Sequence, residues 1–167
     1  MSKGGIIYGI LGTAATVLIV VLIKHAAKKT GWQAPVKGKI SSGFGLRKDP
    51  LNPAVTSGHN GVDVPVPIGT PVKAPMDGLI ISTASSTDGG NQVIMVHDGK
   101  GPYQNWKSGF AHNSKITVKV GDRVKAGQTL ALSGNTGART TGPHSHITLR
   151  NSKGEFVDPA IYLYGKA

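Results

Sequence analysis

Two histidines, His144 and His146, stand one residue apart in "TGPHSHITLR", in a chain that has six. Side chains two apart on a strand leave the same face. "TGP" is turn-forming, and "HSHITLR" with its β-branched residues predicts the strand that follows. Both imidazoles would then enter one space, where neutral imidazole serves as a metal ligand or a proton carrier. A second pair, His59 and Asp63 in "SGHNGVDVPV", is four residues apart; Gly58, Gly61 and Pro65 argue for extended chain, where an even separation again shares a face. Catalytic zinc takes three protein ligands and leaves a fourth position to water, and His with carboxylate is an accepted set. His59, Asp63 and one member of the HSH pair make three, and the other member is left beside the metal to move protons. The spacing alone does not say which is which.

Attack on an amide also needs proton transfer and stabilisation of a developing oxyanion. Glutamate does this in HExxH enzymes, but the single glutamate here, Glu155, lies in "SKGEF" and there is no HExxH. Histidines must therefore take the role, and His112 in "SGFAHNSKI" is the other one available. His97 in "VIMVHDG" reads as a structural residue at a strand end that could line a groove, His25 as interfacial, and Arg47 after "GFGL" as a solvated arginine within reach of substrate. The absence of cysteine excludes disulfides, thiolate zinc sites and a cysteine nucleophile.

The elements that must position these residues are short. Apolar or alternating runs recur between Gly, Pro, Asn and Asp clusters, and no window beyond residue 36 has helical apolar periodicity. The chain is expected to be mostly β, with strands at "VDVPV", "PVKAP", "GLIIST", "NQVIMVH", "SGFAH", "ITVKV", "QTLALSG", "HSHITLR" and "FVDPA". "TDGGN" signals a hairpin, and "KVGDRVKAGQ" has glycines on either side of a short strand.

In front of this lies "GGIIYGILGTAATVLIVVLI", residues 4–23, without a charge. As a helix it would rise about 30 Å, the thickness of a hydrocarbon core. A secretory signal would have a shorter apolar core and a small-residue cleavage site, whereas here "KHAAKK" follows at once. Residues 1–29 are therefore expected to be a transmembrane anchor with basic flanks, 30–36 a linker and 37–167 the folded domain. Lys24, Lys28 and Lys29 outnumber Lys3, which by the positive-inside rule favours a cytoplasmic domain. Net charge is +11, and +7 remains without the four lysines of residues 1–29. The basic residues are scattered and no aromatic-rich motif accompanies them, so lipid headgroups or an acidic envelope polymer fit better than nucleic acid.

"SSGFGLRKDP", "GHNGVDV", "GTPVKAPMDG", "FAHNSKITVKVGDRVKAGQ" and "SGNTGARTTGPHSH" follow in the order found in the M23 metallopeptidases of lysostaphin and LytM type. The resemblance covers Ile40 to Arg150. It implies an antiparallel β-sheet groove with one Zn2+ at its floor and endopeptidase action on peptidoglycan cross-links. It assigns the metal to His59, Asp63 and His146, and makes His112 and His144 catalytic. The usual "YAHL" is "FAHN" here and the usual "HLHFE" is "HSHIT", so Phe110 lacks a hydroxyl and Ser145, Ile147 and Thr148 alter the last strand. "VKAPMDGLIIS" and "VKVGDRVKAGQTLAL" also resemble biotinyl and lipoyl carrier domains, but Met76 and Met95 flank no modifiable lysine. The function expected is a membrane-anchored wall endopeptidase, with a catalytically silent wall-binding or hydrolase-activating module as the alternative. A bacteriophage with an internal lipid layer, where viral or envelope proteins would be its neighbours, reconciles a lysine-rich anchor with a wall substrate.

Overall fold

A computed structural model describes residues 31–165 of the chain, and the expected anchor at 4–23 lies outside them. Among the described residues no helix is long and apolar enough to cross a membrane. Twelve strands run β1 Gly45–Lys48, β2 Thr56–His59, β3 Gly61–Pro65, β4 Pro71–Lys73, β5 Gly78–Ser86, β6 Gly90–His97, β7 Lys107–Asn113, β8 Lys115–Ile116, β9 Arg123–Val124, β10 Thr129–Leu132, β11 His144–Arg150 and β12 Phe156–Val157, with a terminal helix α1 Pro159–Tyr164.

All pairings are antiparallel. The main sheet has the order β12-β11-β7-β6-β5-β9, with β3 also paired to β11; β4-β10-β8 form a second sheet and β1-β2 a hairpin. The expected turn at "TDGGN" closes the β5–β6 hairpin, Ser86 opposite Gly90, and β9 sits between Gly121 and Gly127 as expected.

Strand alternation builds the core. Val62 and Val64 of β3, Val93 and Met95 of β6, Phe110 of β7, and Ile147 and Leu149 of β11 are buried together. Each such side chain taken from water contributes about 1.5–3 kcal/mol. Residues between them in sequence face the other way, and this second face of the central sheet carries the site. Trp32 and Val36, in the stretch read as linker, are buried in the same core, and Lys73 N–H donates to the Pro35 carbonyl at 2.9 Å.

Three local expectations change. "FVDPA" is a strand only at Phe156–Val157, because the Asp158 carboxylate accepts from Ala160 N–H at 2.8 Å and caps α1, with Pro159 in its first turn. "ITVKV" is strand only at Ile116, which lies opposite Ala131 of β10, and the last bond of the pairing is from Thr117 N–H to the Leu130 carbonyl at 3.0 Å. The β1–β2 hairpin was not expected: its exposed side, with Leu46 at 83% exposure, lacks the polar alternation that marks a strand.

Candidate metal and catalytic site

The β3–β11 register sets Asp63 directly opposite His146, and Val62 opposite Ile147. The apolar pair drops into the core, so the polar pair stands on the groove face. This distinguishes the two histidines of the tandem pair. His146 Nδ1 lies 2.8 Å from Asp63 Oδ1, whereas His144, opposite Pro65, brings its Nε2 to 3.7 Å. Gly61 permits the approach of β3: a Cβ there would stand 2.3 Å from the Ile147 carbonyl oxygen and 3.0 Å from His146 Cε1.

His59 ends β2 and completes a triangle. Its Nε2 lies 3.1 Å from His146 Nδ1 and 3.3 Å from Asp63 Oδ1. Ligand atoms 2.0–2.1 Å from a tetrahedral zinc are about 3.3 Å apart, so a zinc-sized cation fits these three atoms with small shifts. Atoms of this kind at this spacing require positive charge among them, either imidazole protons or a cation. Burial opposes ionisation of Asp63, but hydrogen bonding and attraction from His146 and His59 outweigh it and hold the carboxyl well below the usual carboxylate range. Arg47 Nη2 lies 3.5 Å from the other oxygen, Asp63 Oδ2.

Each histidine is oriented by an oxygen on its outer side. His59 Nδ1 is 2.6 Å from the Gly43 carbonyl, His112 Nδ1 2.7 Å from the Thr136 carbonyl, and His144 Nδ1 2.8 Å from the Gly142 carbonyl. His146 is turned over, with Nε2 3.1 Å from Asn60 Oδ1. An N–H donated to each oxygen would leave the inward nitrogen as a lone pair once a cation replaces the inward protons.

His112 reaches the groove through a distortion. Regular pairing puts Ala111 opposite His146 and would turn the next side chain into the core. Between β6 and β7 the register slips, with Asn91 opposite Asn113 but Val93 opposite Phe110, and His112 has φ 62°. A bulge with a left-handed residue rotates His112 back to the groove face. Buried Asn113 ties the bulge down, donating to the Asn91 and Phe110 carbonyls at 2.9 Å each. Gly134 gives the passing loop room, since a Cβ there would stand 2.4 Å from Ser114 N. The His112 and His144 ring centroids are 4.7 Å apart. Burial, only partly offset by the Thr136 carbonyl, lowers the His112 pKa below its ordinary value.

The five groups line a groove of 710 Å³. Asp49, on the loop after β1, holds Arg139, which lines the groove, by an ion pair. Of the departures in sequence, Thr148 faces the groove, Phe110 borders it with its side chain buried in the core, and Ser145 and Ile147 are buried away from it. His97 does not line it: the ring is buried against Trp32, bonded to Ser108 Oγ at 2.7 Å, and burial pushes its pKa down to about 3.

Residues 57–159 match the sequence family described as Peptidase family M23. The chain belongs to that family. Over 115 residues it is 42% identical to the peptidoglycan DD-endopeptidase ShyA of Vibrio cholerae, covering 68% of this chain and 25% of that one. Over 141 residues it is 42% identical to the glycyl-glycine endopeptidase ALE-1 of Staphylococcus capitis, covering 82% of this chain and 37% of that one. The fold matches a zinc-containing peptidase from Vibrio cholerae with a TM-score of 0.68 and 35% identity, over 82% of this chain and 40% of that one. The chain thus spans a quarter to just over a third of the length of these curated relatives. M23 peptidases are zinc-dependent, and in this M23 chain His59, Asp63 and His146 form a group that could hold the ion.

Asn60, Thr136 and the Gly43 carbonyl were missed from sequence. A tautomer-setting oxygen leaves no spacing signal, and two of these three are backbone carbonyls. Asn113 was visible as a departure from "YAHL", but its anchoring role was not.

Proposed function

We propose that this M23 domain is a zinc-dependent endopeptidase that hydrolyses peptide cross-links of bacterial peptidoglycan, with the metal on His59, Asp63 and His146 and proton transfer by His112 and His144. The observation that carries the reading is the 2.8–3.3 Å triangle of ligand atoms with two further imidazoles turned toward it. Zinc bound there supplies a Lewis acid for the peptide carbonyl and lowers the pKa of a water molecule. His112, held neutral by burial, accepts a proton at Nε2 because its Nδ1–H is committed to Thr136. His144, with Nδ1 fixed by the Gly142 carbonyl, turns Nε2 into the same space, within reach of the developing oxyanion and of the departing amine.

Zinc-loaded chain and the His112→Ala variant, run in gels containing purified peptidoglycan, test the assignment. Clearing by the parent and none by the variant is expected. Equal clearing removes His112 from the chemistry, and none by either supports the silent wall-binding module. Walls with glycyl bridges and walls with direct D-amino acid cross-links, digested side by side, identify the bond.

Membrane anchoring through residues 4–23 is supported by the uncharged run of 20 residues. A phage virion with an internal membrane would deliver such an anchored enzyme to the wall as the virus penetrates its host. Protease protection of the domain in cells and in virions distinguishes the two placements.

A further inference from the structure

The β7–β11 register lays the groove floor in rows. Ala111 faces His146, Gly109 faces Thr148, and Lys107 faces Arg150. The middle row carries a single side chain, Thr148, whose Oγ1 lies 2.6 Å from where a Cβ at Gly109 would stand, so no second side chain rises there. An extended ligand can therefore run from the metal row to the last one, a span of about 13 Å over four strand residues.

That last row is two cations facing each other. Lys107 and Arg150 are exposed, line the groove, and pair with no carboxylate among the described residues. The nearby Glu155 instead accepts from Asn151 Nδ2 at 2.7 Å. Like charges directly opposite on a sheet are destabilising, so folding gains nothing from the pair. Arg150 is nonetheless held in place: its guanidinium carbon lies 3.9 Å from the Phe156 ring centroid, and Nη1 is 3.5 Å from the Gly154 carbonyl. A planar donor fork in fixed orientation, with a flexible ammonium opposite, matches a carboxylate.

We propose that Lys107 and Arg150 form an anion-binding subsite that holds a carboxylate of the bound peptide about four extended residues from the metal row. The proposal rests on the reading of the groove as a wall-peptide site, and it makes these two residues determinants of substrate choice. Stem-peptide carboxylates are selected by it, and amidated stems are disfavoured.

The test measures binding separately from cleavage. Zinc-loaded full chain carrying His112→Ala is titrated with fluorescent soluble wall peptides prepared free of teichoic polymers, in native form and with carboxylates converted to amides. The native peptide is expected to bind about tenfold tighter than the amidated one. Lys107→Gln with Arg150→Gln is expected to abolish that difference by weakening the native peptide alone. Lys107→Gln by itself is expected to weaken native binding while leaving Tm equal to or above that of the parent, because a repulsion is relieved. Equal binding of the two peptides by the parent, or equal losses on both in the variants, overturns the proposal. So does millimolar phosphate lowering the binding of both peptides alike, which would make the pair a general anion site. Failure of the parent enzyme to clear walls bears on the proposed function instead, since the contrast in binding does not require cleavage.

Discussion

Asn60 offers the sharpest test of how the metal site is prepared. Its Oδ1 lies 3.1 Å from His146 Nε2, and an N–H donated to it there would leave Nδ1, which faces Asp63 and His59, free to bind a cation as a lone pair. Asn60→Ala removes the acceptor. The ring can then place its proton on Nδ1, in the space where the proposed cation would sit. The direct loss is one hydrogen bond worth about 0.5–1.5 kcal/mol. Loss of orientation adds to it, and partners of this kind typically contribute about 10–100-fold in metal affinity, or roughly 1.4–2.7 kcal/mol. Competition between the folded chain and a chromophoric zinc chelator measures this directly. Asn60→Ala is expected to weaken zinc by about tenfold or more, with an unchanged far-UV spectrum, and Asn60→Asp to restore affinity because it keeps an acceptor. Unaltered affinity in Asn60→Ala would refute the claim that this side chain sets the tautomer.

Other consequences follow from the same geometry. His112→Ala is expected to retain zinc in dialysis while kcat falls by about 10²–10⁴; loss of the metal would instead make His112 a ligand. Because the His112 pKa is lowered in the fold, its neutral form persists below pH 6.5, so the acid limb of kcat/KM is expected below that value, and an acid limb above it would contradict the assignment. His97 titrates near 3 in the fold and near 6.5 when unfolded, so the unfolded chain binds more protons between those values and stability falls on acidification through that window. The loss is roughly 1.4 kcal/mol per pH unit below 6.5, and His97→Phe should flatten it in pH-dependent melts. Ile147→Ala, at a site with no solvent exposure, is expected to cost about 2–5 kcal/mol in denaturant unfolding; a loss under 1 kcal/mol would mean that β11 is not the packed centre.

Much of the site was legible because strands have a period of two. The HSH spacing and the even separation of His59 from Asp63 suggested a shared face for each pair, and in the fold Val62 and Val64, on either side of Asp63, point the other way into the core. Which imidazole of the tandem pair meets Asp63 was not legible from spacing and came only from the family resemblance, because it depends on inter-strand register, and one step along β11 exchanges His146 for a residue of the other face. His112 was found by elimination, but its route into the groove needs a bulge and a φ of 62° at a non-glycine residue, which no spacing encodes. The β1–β2 hairpin that carries His59 escaped notice since its apolar residues are exposed.

Zinc content after reconstitution and exhaustive dialysis, compared between the parent, His146→Ala and His144→Ala, decides whether His146 and not His144 holds the metal. One zinc per parent chain, none in His146→Ala and one in His144→Ala are expected, with X-ray absorption placing two nitrogens and a carboxylate oxygen at about 2.0–2.2 Å. Zinc retained by His146→Ala and lost from His144→Ala, or a parent chain that stays metal-free, would contradict it.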